Sequence, residues 1–207
     1  MADLTRNSTR NFSDKQVDLD VLKHIISEAQ KAPSWENAQP YQVYLATGET
    51  AKRLRKSHEK LVSSGEKSWT EVVPPQEWDQ KAQANINNWQ ASAGASPKNT
   101  EFGEMNDVLF NAPAILYITI KKDASSYVAY DAGAFGYGVI LAAQKQGVGS
   151  IPAFGFARYP AEVHNEFDIL DDQAIFMGIG LGYAADDSIN DFKVERNELD
   201  QFLTIKD

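Results

Sequence analysis

Three residues near the N-terminus could bind a phosphate group. In TRNSTRNF, Arg6, Ser8 and Arg10 occupy alternate positions, and alternate side chains of an extended segment point to the same side. Two guanidinium groups and a hydroxyl on one side suit a phosphate, because guanidinium binds phosphate through two parallel hydrogen bonds. The same residues are also compatible with an exposed N-terminal tail.

Two other stretches carry polar groups in unusual settings. Lys193 and Arg196 form a basic cluster in an acidic C-terminal stretch, which alone indicates little. The stretch APSWENAQPY, at residues 32–41, contains two prolines and several small or amide side chains between a predicted helix and a predicted strand. It is longer than such a connection needs, although a helix stop followed by a turn would account for it.

Side chains alone offer few routes to catalysis in this sequence. His24, His58 and His164 lack the i, i+4 spacing of a helical metal pair and have no cysteine to join them, so we expect ordinary surface or helix residues. There is no GxSxG elbow, Walker A loop or GxGxxG after the first strand. The glycines of GIGLGY lie in a predicted strand, where they favour close packing. The chemistry is therefore expected to belong to a cofactor.

Composition limits the partners and the location. The chain has 207 residues, 43% of them hydrophobic, a net charge of −9 and no cysteine, which favours one domain over residues 1–207. An acidic chain without a long basic run is a poor ligand for nucleic acid. No stretch has the roughly 18 apolar residues that a membrane span needs, and no signal peptide is evident. We expect a cytoplasmic protein that binds neither nucleic acid nor membrane.

The apolar pattern predicts alternating helices and strands. Helical spacing from Leu19 to Ala29, with Asp18 as N-cap, predicts the first helix. QVYLAT predicts a strand, and Thr47 the N-cap of a second helix that runs through Leu61. Later elements are the strand APAILYITIK, a buried Ala- and Gly-rich helix that stops at Gly147, the strand GSIPAF, the helix YPAEVHNEF and the central strand QAIFMGIGLGYA. This order predicts an α+β fold or a three-layer α/β sandwich.

Residues 63–103 interrupt this order. The segment is polar, contains Trp69, Trp78 and Trp89, and has a predicted helix that starts at Glu77. Tryptophans in such a segment favour packing on a surface, so we interpret it as an excursion that folds over the molecule. A hydrophobic lid that uses one of these tryptophans is a hypothesis. The C-terminal apolar cluster QFLTI is expected to dock on a partner subunit.

Several short motifs occur in a recognisable order along the chain. They are Arg-x-Ser-x-Arg-x-Phe at residues 6–12, Ala-Pro-Ser at 32–34, Asn-x-Gln-Pro-aromatic at 37–41, Asn-x-x-x-Phe-x-Ala-Pro at 106–113, YDAGAFGYGVILAAQKQGVGS at 130–150, the loop from Pro152 to Gly155, and Gly182, Tyr183, Asn190 and Arg196. Together they resemble the nitroreductase family of FMN enzymes. Apart from the excursion, the resemblance covers nearly the whole chain.

The resemblance implies a fold and a cofactor site. The fold is α+β, a three-layer α/β/α sandwich with a mixed, mainly antiparallel sheet, in an intertwined homodimer with FMN at its interface. The two basic clusters would hold the phosphate, residues 32–41 would contact the flavin ring, and a backbone N–H of Phe154 or Gly155 would donate to N5. The implied cofactor-binding residues are Arg6, Asn7, Ser8, Arg10, Pro33, Ser34, Asn37, Gln39, Asn106, Pro152, Ala153, Phe154, Gly155, Lys193 and Arg196.

The resemblance also implies a reaction without a catalytic side chain. A hydride would pass from NADH or NADPH through flavin N5 to a nitroaromatic, quinone or similar acceptor, in a ping-pong mechanism. The alternatives are a flavoenzyme of the same fold with other chemistry (dehydrogenase, dehalogenase or flavin-consuming enzyme) and a flavin-binding dimer without turnover. The physiological acceptor, the choice between NADH and NADPH, and the roles of Trp35 and Glu36 stay open.

Overall fold

The computed structural model describes residues 6–206, and its helices and strands follow the predicted order. The helices are α1 (Leu19–Ala29), α2 (Gly48–Ser63), α3 (Gln80–Gly94), α4 (Glu101–Asp107), α5 (Ser126–Lys145) and α6 (Pro160–Phe167). The strands are β1 (Gln42–Thr47), β2 (Ala114–Lys121), β3 (Gly149–Ala153) and β4 (Gln173–Gly182). Helices α3 and α4 belong to the excursion and to the segment that leads back from it.

The strands form a sheet in the order β1-β2-β4-β3, with antiparallel neighbours throughout. Strand β4 lies inside the sheet, as predicted for the central strand. Beyond β3, Ser8 forms a parallel bridge to Ser150, so the N-terminal segment extends the sheet edge. The predicted mixed, mainly antiparallel sheet is confirmed.

Helices cover both faces of the sheet. On β2, Leu116 and Ile118 pack into the core formed with α1 and α5, whereas Ile115 and Tyr117 pack into the core on the side of α2 and α6. All four side chains are nearly inaccessible to solvent, because alternate residues of a strand point to opposite faces. These two cores give the predicted α+β sandwich of three layers.

Glycines permit the close contacts between layers. A Cβ atom added to Gly138 of α5 would lie 3.2 Å from the backbone of Ala29 in α1. At Gly178 of β4, an added Cβ would lie 2.2 Å from the Cβ of Phe156. Both distances are shorter than van der Waals contact, so the interpretation of these glycines as close-packing positions is confirmed.

Some predicted element ends are wrong by a few residues. Thr47 is the N-cap residue of α2, as predicted, although its side chain makes no capping hydrogen bond. Helix α3 starts after Asp79 rather than at Glu77, because the Asp79 carboxylate accepts a backbone N–H of the first turn and so acts as the N-cap. Strand β3 ends at Ala153, since Phe154 begins a 3₁₀ turn.

The start of the excursion is fixed to the sheet by one carboxylate. The Glu71 side chain is buried, and its carboxylate accepts a hydrogen bond from the backbone N–H of Ile175 in β4 at 2.7 Å. The same carboxylate lies 2.9 Å from Nε2 of His164 in α6. The excursion therefore crosses the α6 side of the sheet before α3 begins. Within residues 6–206, no helix combines the length and the apolar character needed to cross a membrane.

Candidate functional site

The N-terminal segment is extended and held against the sheet. The N–H of Thr9 donates to the carbonyl of Ser150 at 3.0 Å, and the N–H of Phe12 donates to the carbonyl of Phe110 at 3.0 Å. The Arg6 guanidinium lies 3.4 Å from the Ser8 hydroxyl, to which it donates a hydrogen bond. Arg6 and Ser8 therefore share one side of the segment, as their alternate spacing predicts.

Arg10 places a positive charge in a largely dry environment. Only 7% of the residue is exposed, and its Nη1 donates to the carbonyl oxygens of Ser8 (3.2 Å) and Phe192 (3.1 Å). The guanidinium also lies over the rings of Phe192 (4.9 Å) and Phe102 (5.6 Å). Burial and, second, the charge of Arg6 lower the pKa of Arg10.

No carboxylate among residues 6–206 forms an ion pair with Arg10. Carbonyl dipoles and aromatic faces compensate a buried charge only in part. The environment of Arg10 therefore suits an additional anion next to the guanidinium.

Arg10 lines a cavity of about 480 Å³, called the inner cavity below. It is lined by Ser8, Arg10, Trp89, Phe102, Gly103, Asn106, Phe110, Ile151 and Pro152. Four of these, Ser8, Arg10, Asn106 and Pro152, are residues that the sequence assigns to cofactor binding. Residues nearly 150 positions apart in the chain thus meet in one cavity because β3 brings Pro152 beside the N-terminal segment.

The loop after Pro152 lies directly against Asn106. A Cβ atom added to Gly155 would lie 2.5 Å from Oδ1 of Asn106, so any larger residue at this position would force the Asn106 amide to move. Ala153 ends β3, and Phe154–Ala157 forms a 3₁₀ turn. The first N–H groups of a helical turn have no partner within that turn. The turn therefore begins with backbone donors at Phe154 and Gly155, next to Asn106, which lines the inner cavity.

Residues 33–39 form a separate wall. Pro33, Ser34 and Trp35 line a second cavity of about 610 Å³, the loop cavity, together with Ser126, Tyr127, Tyr130 and Asp131 of α5. The hydroxyl of Ser34 accepts the N–H of Gln39 at 3.0 Å. The loop cavity and the inner cavity share no lining residue. Within one chain, the two groups of predicted cofactor-binding residues are therefore apart.

The backbone of this wall is strained. Glu36, Asn37 and Gln39 have φ values of 47°, 61° and 47°, in the left-handed region that asparagine tolerates but that is unfavourable for Glu36 and Gln39. The buried carboxylate of Asp131 fixes the start of the loop by accepting the N–H of Trp35 at 3.0 Å. Strain maintained in this way is typical of functional loops.

The C-terminal basic residues lie elsewhere. Arg196 lines a third cavity of about 710 Å³, the tail cavity, between α3 and residues 192–202. Its Nη1 donates to the carbonyl oxygens of Val194 (3.0 Å) and Glu195 (3.1 Å). Lys193 is exposed and lines none of the three cavities. The structure thus does not bring Arg196 and Lys193 into the cavity of Arg10, although Trp89 lines both the inner and the tail cavity.

Three residues without an assigned role support the site. Asn190 binds the backbone of the N-terminal segment, and its carbonyl accepts a hydrogen bond from the Asn7 side chain at 2.9 Å. Asp131 holds the loop at residue 35 and could have been noticed as an acidic residue within an apolar helix. His58 of α2 is buried rather than at the surface. Burial, and then the charge of Arg158, lower the pKa of His58 to about 4.

Helix α5 exposes a row of aromatic rings. Tyr127, Tyr130 and Tyr137 are 63%, 72% and 50% exposed, and their spacing places them along one side of the helix. Trp35 packs against Tyr127 with ring centroids 5.0 Å apart. Adjacent exposed aromatic side chains are characteristic of a protein interface.

Comparisons with known proteins agree on one family. The profile of the Nitroreductase family matches residues 4–183. The chain is 26% identical to the nitrobenzene nitroreductase of Ectopseudomonas oleovorans, with 96% of this chain and 92% of the relative covered. It is 25% identical to the 4-nitrobenzoate reductase of Pseudomonas putida, with 93% and 88% covered.

Solved structures show the same fold. The FMN- and NADPH-dependent nitroreductase NfnB from Sphigopyxis sp. strain HMH is 26% identical, with a TM-score of 0.83 over 98% of this chain and 96% of that one. The FMN-dependent NfnB from Mycobacterium smegmatis, in complex with NADPH, has a TM-score of 0.89 at 19% identity, over 98% and 95%.

Proposed function

Because this chain belongs to the nitroreductase family, we propose that it is a homodimeric FMN-dependent oxidoreductase that passes electrons from NADH or NADPH to a nitroaromatic, quinone or similar acceptor. The observation that carries the proposal is the inner cavity, where Ser8, Arg10, Asn106 and Pro152 meet. Relatives that reduce nitrobenzene and 4-nitrobenzoate, and NfnB structures described as FMN- and NADPH-dependent, support it.

The residues of the inner cavity fit the phosphate of FMN. Arg10 is buried without a carboxylate partner among residues 6–206, and the hydroxyl of Ser8 and the second guanidinium, of Arg6, lie beside it. A dianion in this position would receive charge-assisted hydrogen bonds and neutralise the buried cation. Lys193 and Arg196 do not line the inner cavity, and their contact with the phosphate stays a prediction.

The inner cavity also fits a flat ring next to the phosphate. Asn106 provides an amide that both donates and accepts hydrogen bonds, and Gly155 brings its backbone against that amide. Backbone N–H groups of Phe154 or Gly155 would donate to the reacting edge of the ring, where a donor stabilises developing negative charge. When bound, FMN supplies the redox chemistry, taking a hydride at N5 from the nicotinamide and passing it on.

The protein's part in the reaction is positioning. The left-handed residues Asn37 and Gln39 and the hydroxyl of Ser34 form a preorganised wall, and a rigid wall lowers the entropic cost of holding two reactants in line. Donor and acceptor would occupy the same open face in turn, which is the ping-pong order.

A dimer would complete each site. Ser34, Asn37 and Gln39 lie outside the inner cavity of their own chain, next to the exposed tyrosines of α5. If those tyrosines form a two-fold interface, the wall from one subunit meets the inner cavity of the other. The exposed tail residues Phe202, Leu203 and Ile205 would be covered by the same association.

The decisive experiment is anaerobic reduction. The purified protein should bind FMN, and NADH or NADPH should rapidly bleach its absorbance near ~450 nm. Subsequent addition of nitrobenzene or a benzoquinone should restore the absorbance. A protein that cannot be reconstituted with FMN contradicts the proposal, and a flavoprotein that neither nucleotide bleaches is a flavin-binding dimer or an enzyme with another reductant.

A further inference from the structure

One face of α3 points into the tail cavity. Asn85, Asn88, Trp89 and Ser92 all line it, and their spacing of three, four and seven residues places them on one side of the helix. The face therefore combines two amides and a hydroxyl with one large aromatic ring. The other side of the cavity is formed by residues 192–202.

Trp89 also reaches the inner cavity. It is the residue that the linings of the two cavities have in common, and 39% of it is exposed. Its indole packs edge-on against Phe102 with centroids 6.3 Å apart, and Phe102 packs edge-on against Phe192 at 4.9 Å. The guanidinium of Arg10 lies over these same two phenylalanines. The aromatic cluster that supports Arg10 thus also positions Trp89.

The other two tryptophans of the excursion differ from Trp89. Trp69 and Trp78 are 51% and 52% exposed, and neither lines the inner, loop or tail cavity. Of the three tryptophans that the sequence offers for a lid, the geometry therefore selects Trp89.

We propose that this face of α3 is the acceptor-binding wall. An aromatic acceptor stacks on Trp89, with its reducible group directed at the flavin ring that would occupy the inner cavity. A second, oxygen-bearing substituent reaches into the tail cavity and accepts hydrogen bonds from the amides of Asn85 and Asn88. The substrate class is thus a ring with a reducible group and a polar substituent. This assignment rests on the proposed function, since it requires reduction to occur in the inner cavity.

Binding of a ring that cannot be reduced tests the wall directly. Titration calorimetry would measure the Kd of benzamide for the oxidised, FMN-loaded protein. Trp89→Ala should raise this Kd about five- to tenfold, because a stacked aromatic pair is lost, and Trp89→Phe should keep it within about threefold. Trp78→Ala is the matched control and should leave the Kd unchanged. FMN content and circular dichroism would show that each variant is folded.

A comparison of benzamide with toluene distinguishes the contribution of stacking from that of hydrogen bonding. In the Asn85→Leu, Asn88→Leu double variant, benzamide should bind more weakly, whereas toluene, which has no polar substituent, should bind as it does to the wild type. Failure of benzamide to bind the wild type, or an equal Kd for wild type and Trp89→Ala, overturns the acceptor wall.

Bleaching of the flavin by NADH and by NADPH in the same preparations distinguishes the two proposals. A wild-type flavoprotein that neither nucleotide bleaches contradicts the proposed function. Normal bleaching of Trp89→Ala together with unchanged benzamide binding contradicts the acceptor wall alone.

Discussion

The side-chain oxygen of Asn190 accepts the backbone N–H of Arg10 at 2.7 Å. The same oxygen accepts the N–H of Asn11 at 3.0 Å, and the amide nitrogen donates to the carbonyls of Asn11 (2.9 Å) and Ala185 (3.1 Å). One side chain thus satisfies four backbone groups and joins the N-terminal segment to the C-terminal one. The position of the Arg10 guanidinium depends on this connection.

Asn190→Ala should loosen the N-terminal segment. Four hydrogen bonds are lost and backbone groups are left unpaired, so we expect the free energy of unfolding to fall by about 2 kcal/mol or more and the Kd for FMN to rise. Denaturant titration of the apoprotein and flavin-fluorescence titration measure the two effects. Asn165→Ala, an exposed position on α6, is the control and should change neither quantity. Unchanged FMN affinity in Asn190→Ala would contradict a phosphate site on this segment.

His58 should make the protein less stable in acid. Its pKa is lowered to about 4 by burial first and by the charge of Arg158 second, whereas in an unfolded chain it is about 6.5. Between these two values the unfolded state binds more protons than the folded state, so stability falls as pH decreases from about 6.5 to about 4. The loss amounts to up to about 3 kcal/mol, and below about pH 4 this contribution no longer changes.

Denaturant titrations of the wild type and of His58→Leu across this range check the prediction. The variant should lose less stability on acidification than the wild type, because leucine does not titrate. Parallel curves for the two proteins would show that other groups cause the acid sensitivity.

Local sequence signals predict the elements of this fold well. Strand β2 is a continuous apolar run and is buried on both faces, and α1 begins at its Asp18 cap. The ends of the helices and strands are harder to predict than their presence, because several neighbouring residues compete to start or end an element. Helix α3 begins after Asp79 and not at the predicted Glu77, because the Asp79 carboxylate accepts a free N–H of the first turn.

The sequence predicts the candidate site only in part. The resemblance names Asn106 and Gly155, but their contact depends on how α4 packs on the turn after β3. No spacing rule connects residues so far apart. The choice of Trp89 over Trp78 likewise follows from which side of the excursion faces a cavity, and a polar, weakly periodic segment does not encode that side locally.

Gly155→Ala should disturb the contact with Asn106. The new Cβ would lie 2.5 Å from Oδ1, so the amide has to move, and we expect a loss of about 1–2 kcal/mol in stability and weaker FMN binding. Thermal unfolding of the apoprotein and FMN titration measure these effects. Asn106→Ser in the Gly155→Ala background should restore stability, because the shorter side chain removes the overlap.

Gly94→Ala is the matched control for this experiment. Nothing lies within 4 Å of a Cβ at Gly94, which is the last residue of α3. Alanine there should leave stability equal or slightly higher, by at most about 1 kcal/mol. Equal behaviour of the Gly155 and Gly94 variants would contradict the close approach of Gly155 to Asn106.

Tyr130→Glu should dissociate the proposed dimer. Tyr130 is 72% exposed on α5, and a carboxylate in a desolvated interface is costly without a partner. Light scattering should report a monomer with reduced FMN content, because the wall at residues 33–39 would no longer reach the inner cavity of the other subunit. Leu170→Glu, at a residue 68% exposed in the loop before β4, should remain dimeric. A Tyr130→Glu dimer with full FMN content would contradict an interface on α5.

Mixed dimers test whether the two walls come from different subunits. Arg10→Ala and Asn37→Ala should each weaken FMN binding, since each removes one side of the site. In a heterodimer of the two variants, Arg10 of one subunit would meet Asn37 of the other, which leaves one intact site. Refolding the two variants together in equal amounts should therefore restore about a quarter of the high-affinity sites, because half of the dimers are mixed. If each site belonged to a single chain, mixing would restore none, since every chain carries one defect.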